Sequence, residues 1–367
     1  MALNCFAPNV DPEIREANRV ARRASNQIDA DLRKEAEEQM KLPMVKLLLL
    51  GAGESGKSTI LKQFKIIHGE GFSDSDVALF KAAILGNTVG SMKILITEME
   101  RLEIPFGYAD AKSHVSVIKE APYVYSTSAG QEMISQEIST ALKYLWSDSG
   151  VQACYARRNE YQIIDSCQYF MESIDRVCDT AFKPTPDDIL RARIMTTTVT
   201  ENKFNIGGIQ YRIYDVGGQR NQRKKWIPYF DDARAIIYMA AVGSYDQVIS
   251  EDRETNRMVE AIQLFQNLCD QALLSNTSFI IFLNKIDLLQ EKIKRLPLKN
   301  YFPDYQGIDN WEEVLVYFGG KLKACNTSPT RKVYVYSTLA TDTKQVTTVI
   351  KTVTKIVANL NLAQNGL

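Results

Sequence analysis

The chain has 367 residues and equal numbers of basic and acidic ones, 44 Lys plus Arg against 44 Asp plus Glu. With zero formal net charge, no global field argues for nucleic acid or an acidic partner, and the 45% hydrophobic and 24% charged fractions are those of a globular protein. The apolar runs, such as 45–50 interrupted by Lys46 and the unbroken 235–242, are far too short to span a bilayer; the first residues lack the basic and apolar regions of a secretory signal.

Residues 11–41 are strongly charged and free of Gly and Pro after Pro12. They predict a solvated amphipathic helix with Ile14, Ala17, Ala21 and Ile28 along one side, closed by Pro43. Val45 to Leu50 reads as a strand buried on both faces, as in a parallel sheet. Gly51 and Gly53 follow, then Ile60, Leu61, Phe64 and Ile67 at helical spacing. From Gly69 to Lys183 strand-like alternation is scarce. Phe80, Ile84, Met92, Leu95 and Met99 recur at helical spacing, and Tyr161, Ile164, Gln168 and Met171 continue the theme. This predicts an inserted all-helical unit, bounded by Gly69 and Gly71 and by Pro184 and Pro186. Strands then resume. Phe204–Ile206 and Ile209–Asp215 flank Gly207-Gly208, a hairpin signal. Ala235–Val242, Phe279–Leu283 and Lys332–Ser337 are further apolar strands, separated by helical stretches such as Glu251–Leu268 and Thr343–Asn359. Alternating strands and helices indicate a doubly wound, mostly parallel α/β sheet with one antiparallel edge. Six cysteines (Cys5, Cys154, Cys167, Cys178, Cys269, Cys325) form no CxxC pair and read as reduced thiols. With only His68 and His114 in the chain, a histidine-based metal site or triad is not expected.

Gly51-Ala52-Gly53-Glu54-Ser55-Gly56-Lys57-Ser58 fits GxxxxGK[ST]. Glycines permit a tight loop whose N–H groups face phosphate oxygens, and the following helix offers its positive end. Lys57 supplies a point charge to β- and γ-phosphates. Ser58 supplies a hydroxyl for Mg²⁺, a hard ion that prefers oxygen. This loop alone leaves kinases, ATPases and GTPases open. Asn284-Lys285-Ile286-Asp287 follows a strand. A carboxylate at Asp287 can accept from N1–H and the exocyclic amine of guanine, donors that adenine lacks there, and such a site rejects analogues strongly. Lys285 can lay its stem along the ring, and Asn284 can tie neighbouring loops. The Ala340 N–H, in the loop after the last strand, is placed to meet guanine O6. Asp215-Val216-Gly217-Gly218-Gln219 ends the hairpin. Asp215 can hold Mg²⁺ through water, Gly218 can bring its N–H to the γ-phosphate, and Gln219 can orient the attacking water. In 191–197, Arg193 is the candidate to stabilise charge on the phosphate oxygens, and Thr196 the second hydroxyl on Mg²⁺.

Together GAGESGKST, RARIMTT, DVGGQR, NKID and TLAT, with the connecting stretches at 157–162, 223–226 and 250–258, resemble heterotrimeric G-protein α subunits over nearly the whole chain. The resemblance implies an N-terminal helix (1–41) toward a βγ dimer and membrane, a Ras-like GTPase domain (42–68 and 189–367) and an inserted helical domain (69–188). It implies GTP/GDP and Mg²⁺ as ligands, and a βγ dimer, a seven-helix receptor acting at the C-terminus and an effector as partners. Residues Glu54, Ser55, Gly56, Lys57, Ser58 and Thr59 would cradle the phosphates; Ser166, Leu190 and Arg191 would approach the nucleotide from the helical side. Arg193 would be the internal arginine finger, and Trp226 a fluorescent reporter of the switch. The γ-phosphate would order the segments around Thr196, Gly218 and 244–251, a two-state element.

Several features depart from the resemblance. Position 2 is Ala, which excludes N-myristoylation; Cys5 remains a candidate palmitoylation site, so location at the cytoplasmic face of the plasma membrane would also need βγ. Thr198 stands where the family usually has Gly, a branched side chain expected to lower sensitivity to GTPase accelerators; Met195 and Gln222 replace residues more often charged. The tail 361–367 carries no cysteine, so toxin modification of the kind made on some relatives is not expected. Rival readings are an ATPase or nucleotide kinase, opposed by Asp287; a GTP-binding scaffold without turnover, opposed by Arg193 and Gln219; and a translation or small transport GTPase, opposed by the helical insertion.

Overall fold

The computed structural model describes residues 43–122 and 134–364. The helix expected over 11–41, Cys5 and the last three residues lie outside them.

Strand β1 (Met44–Gly51) runs into a loop and helix α1 (Lys57–His68). Helices α2 (Asp74–Arg101), α3 (Ala111–Glu120), α4 (Gln136–Trp146), α5 (Ser149–Ala156), α6 (Cys167–Glu172), α7 (Ile174–Val177) and α8 (Pro186–Arg191) follow. Then come β2 (Thr200–Ile206), β3 (Ile209–Asp215), β4 (Ala235–Ala241), α9 (Arg257–Cys269), β5 (Ser278–Asn284), α10 (Ile286–Lys292), α11 (Trp311–Ala324), β6 (Val333–Thr338) and α12 (Thr343–Gln364).

The six strands form one sheet in the order β2-β3-β1-β4-β5-β6. All pairings are parallel except the edge hairpin β2–β3. Its turn residues Gly207 and Gly208 have φ of 59° and 77°, the left-handed pair that matches hairpin twist. Side-chain alternation divides the sheet between two cores. Leu48, Leu50, Ile236, Tyr238, Phe279 and Ile281 face α9 and α11. Leu47, Leu49, Ile237, Met239, Ile280 and Phe282 face α1 and α12.

The helices from α2 to α8 bury a third, separate core. Its axis is α2, opened by a capping box between Ser73 and Asp76. This helix has the length and composition of a membrane span, a property the apolar-run criterion overlooks, but 56% of that stretch is buried inside the fold. Ile84, Met92, Leu95 and Ile96 are fully buried there. Asp148 caps α5 and also accepts the Gly107 and Tyr108 N–H groups. The five cysteines among the described residues are free thiols.

Two helical expectations are corrected. Tyr161 and Ile164 are not on a helix; a short turn at Arg158–Glu160 leads into extended backbone, and α6 starts at Cys167. Tyr161 is buried all the same, its hydroxyl donating to Cys154 O at 2.8 Å. The stretch from Glu251 is likewise a turn, and α9 starts at Arg257. Asp252 accepts the N–H groups of Glu254 and Thr255, Arg253 takes φ 59°, and Asn256 caps the helix. Local side-chain hydrogen bonds override helix-forming composition here.

Candidate functional site

The register sets the site. Leu49 pairs with Asp215, Ala241 with Asn284 and Asn284 with Thr338. The carboxyl ends of β1, β3, β4, β5 and β6 therefore open on one edge. Neighbours β3 and β4 flank β1, so the chain reverses direction across the sheet at β1, where ligands of such sheets sit. A cleft of about 310 Å³ lies there, between the sheet edge and the helical unit. Its lining includes the phosphate loop, Ser166, 190–196, Gly218, Gln219, the Asn284–Asp287 segment and Ala340.

The loop from Gly51 turns back through Glu54 (φ 60°) and Gly56 (φ 100°) before α1 begins. At Gly56 a Cβ would stand 2.2 Å from Asn284 Nδ2, so only glycine fits. Asn284 Nδ2 donates to Ser55 O at 2.9 Å, while its Oδ1 accepts from Ala340 N at 3.0 Å and Thr338 Oγ1 at 3.3 Å. Asn284 thus ties the phosphate loop to the loop after β6, as the sequence predicts. The Ala340 N–H, expected to face a base, is engaged by Asn284 here.

Lys57 is buried, and Nζ donates to Gly51 O at 2.9 Å and Ala52 O at 2.8 Å. Burial lowers it to about 8, partly offset by Asp215. A Cβ on Gly218 would lie 2.3 Å from Lys57 Nζ and 2.5 Å from Gly51 O, so β3's exit loop passes directly against the phosphate loop. Gln219 approaches from the same side: a Cβ on Gly53 would sit 3.6 Å from its Cγ.

Three oxygens meet beside Lys57. Ser58 Oγ lies 2.8 Å from Thr196 Oγ1 and donates to Asp215 Oδ2 at 2.9 Å. Asp215 Oδ1 is buried with no hydrogen-bond partner among the described residues. Burial raises the Asp215 carboxyl above its usual range, against the pull of Lys57. A buried acceptor left open costs free energy. Two hydroxyls and an open carboxylate oxygen are the hard donor set that Mg²⁺ takes, with phosphate and water completing the shell; the residues fit the ion.

Above the loop, Glu54 Oε1 pairs with Arg193 Nη2 at 2.7 Å and Oε2 with Arg257 Nη1 at 2.7 Å. Burial opposes the Glu54 charge, but Arg257 and Arg193 outweigh it and hold the carboxyl below its usual range. Lys285 (φ 64°) opens α10 and reaches Asp165 of the helical unit at 2.5 Å. Asp287 faces the cleft with its carboxyl raised, burial between the walls being the main cause. Arg191 lies 4.5 Å over the Tyr169 ring.

Gly218's loop is braced to α9 and the turn before it. Arg220 pairs with Asp252 at 2.8 Å and Glu260 at 2.6 Å, and Arg223 with Glu260 at 2.6 Å. Trp226 is buried, its indole donating to Gly217 O at 2.9 Å.

The site positions read from the sequence within the described residues line this one cleft, except Ser55 and Asp215, which stand behind it on Asn284 and Ser58. Lys62, Asp165 and Arg257 line the cleft and escaped that reading, as did Asn87, which bonds the Arg193 backbone behind it. Arg257 and Asp165 stand inside or beside quoted motifs, but their partners are distant in sequence. Lys62 and Asn87 carry no local signal, because only the helical unit folding over α1 buries them.

A GxxxxGK[ST] loop at the switch point, a carboxylate on the cleft wall after β5 and a hydroxyl–carboxylate cluster are the parts of a P-loop GTPase, here carrying a helical insertion. Residues 22–357 match the G-protein alpha subunit family, and the chain belongs to that family. It is a guanine-nucleotide-binding, GTP-hydrolysing α subunit of the heterotrimeric signalling type. It is 40% identical to a guanine nucleotide-binding protein G(o) subunit alpha of Caenorhabditis elegans, over 96% of this chain and 98% of that one. Similarity extends to the G(o) subunit alpha of Planorbella trivolvis, at 42% over 95% and 97%. It also extends to a guanine nucleotide-binding protein alpha-1 subunit of Mycosarcoma maydis, at 40% over the full length of both.

Proposed function

We propose that the cleft works as a GTP-timed switch with the following division of labour. Asp287 selects guanine, Lys285 covers the ring, and 54–59 hold the phosphates. Ser58, Thr196 and, through water, Asp215 hold Mg²⁺. A bound Mg²⁺ would supply positive charge to offset that of the phosphates. Lys57 leaves its carbonyl partners for phosphate oxygens. Gln219 orients the attacking water. Arg193 exchanges Glu54 for the γ-phosphate, where transition-state charge builds; α subunits that carry this arginine in the chain are a standing example of such phosphoryl transfer.

The observation that carries this reading is the Ser58–Thr196–Asp215 cluster with its open carboxylate oxygen, beside Lys57 and below an arginine held in reserve on Glu54. The cycle it supports couples a seven-helix receptor to an effector, with a βγ dimer bound in the GDP state. Residence at the cytoplasmic face of the plasma membrane, with Cys5 lipidated, belongs to the same proposal.

Single-turnover GTP hydrolysis with Mg²⁺ tests it, with ATP as control. Arg193→Cys and Gln219→Leu each lower the rate about 100- to 1000-fold, the scale of losing one group that stabilises or aligns the transition state. Both variants keep GTP binding. Wild type that binds GTP without turnover, or equal use of ATP, would sink the reading.

A further inference from the structure

The strap that leaves α8 and carries Arg193 is held at five successive carbonyls. Lys62 Nζ donates to Ile189 O at 2.8 Å and to Ala192 O at 2.7 Å. Thr59 Oγ1 donates to Leu190 O at 3.5 Å and Ser166 Oγ to Arg191 O at 2.9 Å. Asn87 Nδ2 donates to Arg193 O at 3.1 Å. The last carbonyls of a helix have no donor within it. Here side chains from both sides of the cleft supply one: Thr59 and Lys62 from α1, Asn87 from α2, and Ser166 from the loop before α6.

Asn87 does more than fill a valence. Its Oδ1 also accepts the Arg193 N–H, at 2.7 Å. One side-chain amide therefore closes on both polar backbone groups of Arg193. Only a group that donates and accepts together can do this; a carboxylate or an aliphatic chain of similar size cannot. Lys62 braces the residues just before, buried with Nζ 4.8 Å above the Phe80 ring of α2. The arginine side chain is long and flexible, so where its Cα stands decides whether the guanidinium can reach a point. A misplacement of about 1 Å costs a reaction about a hundredfold.

We propose that Asn87 is a positioning residue for GTP hydrolysis, fixing the backbone of Arg193 to α2 while Lys62 holds the preceding carbonyls. The inference rests on the role given to Arg193 above. It makes the helical unit a direct determinant of the hydrolysis rate through one amide.

The test uses the full chain with GTP and Mg²⁺. Asn87→Leu keeps the volume and loses both hydrogen bonds; Asn87→Asp keeps the acceptor and loses the donor. Both are expected to slow single-turnover hydrolysis about ten- to a hundredfold. Affinity for GTPγS stays within about twofold. In the Arg193→Cys background, Asn87→Leu changes the residual rate by no more than about twofold, since the residue it positions is gone. Lys62→Met acts on the same strap from α1 and gives the same pattern if an Asn87 variant does not fold. Wild-type hydrolysis in the Asn87 variants, or an undiminished loss in the Arg193→Cys background, overturns the proposal. A parallel loss of GTPγS binding does so too, because it marks a merely structural role. If instead Arg193→Cys itself hydrolyses normally, it is the role of Arg193 that fails.

Discussion

A single buried contact can decide whether a switch residue has room. Gly218 has no space for a side chain: a methyl group would meet Lys57 Nζ at 2.3 Å and two carbonyl oxygens at 2.5 and 2.6 Å. Lysine can move, but the backbone of the phosphate loop cannot move cheaply. Gly218→Ala is therefore expected to bind GDP and to fail in drawing the β3 exit loop onto the γ-phosphate. Because Trp226 hydrogen-bonds to Gly217 O, its fluorescence reports the outcome. The wild type changes signal on exchanging GDP for GTPγS with Mg²⁺; a full change in Gly218→Ala would refute this. Most such residues were legible in the sequence, since Gly218, Lys57, Asn284 and Asp287 each stand at a motif position whose chemistry is local. Glu54 was legible as a member of the phosphate loop. Its service as a counter-ion to Arg193 and Arg257 was not, because those partners lie far away in the chain.

Among the elements, α8 shows how a six-residue helix is made to stay. Thr185 and Asp188 form a capping box, with Pro186 at the first turn. Asp188 is fully buried and takes two bonds from Arg176, at 2.7 and 2.8 Å, and one from Tyr169 at 2.9 Å. Burial alone would raise its carboxyl, but these partners and Thr185 bring it down to about 2. A carboxyl depressed on folding stabilises above its unfolded value and loses that contribution as pH falls through the folded one. The loss therefore runs from about pH 4 down to about pH 2, and amounts to roughly 2 kcal/mol. Asp188→Asn is expected to lower the urea midpoint at pH 7, and the gap to wild type to shrink between about pH 4 and about pH 2. A gap independent of pH would show that the charge does not matter. The sequence made α8's boundaries readable through Thr185, Pro186 and Asp188. At Glu251–Asn256 the same kind of local chemistry was misread, because the Asp252 turn looks like ordinary helix-forming composition until its hydrogen bonds are seen.

For the molecule as a whole, three of the polar ties that bridge the helical unit and the sheet around the cleft lie apart from the Arg193 strap. They are Lys285 to Asp165 at 2.5 Å, Arg158 to Glu291 at 2.9 Å, and Gln162, which meets Arg257 at 2.5 Å and Val248 O at 2.9 Å. On the proposed reading the nucleotide lies between the units and leaves when they part, so each tie is expected to slow release. Partly exposed pairs contribute about 0.2–1 kcal/mol. Asp165→Asn is then expected to speed GDP dissociation about 1.5- to 5-fold. Raising the salt should accelerate the wild type more than the variant. Release of a fluorescent GDP analogue measures both; unchanged release in low salt would assign the retention to the nucleotide's own contacts.

The sequence by itself determined the chemistry and the order of the parts. Period-two and period-3.6 patterns placed the strands, the edge hairpin and the helical insertion, and motif residues named the ligands. These signals survive because each is local: a glycine's freedom, a cap or an apolar face acts within a few residues of itself. Tertiary structure alone decided that Asn87 on α2 would grip Arg193, that Lys62 would be buried, and that Glu54 would hold an arginine in reserve. Asn87 and Arg193 are 106 positions apart, and Lys62 and Ile189 are 127 apart. No spacing rule connects them, because their distance is set by how two independently packed cores meet across the cleft.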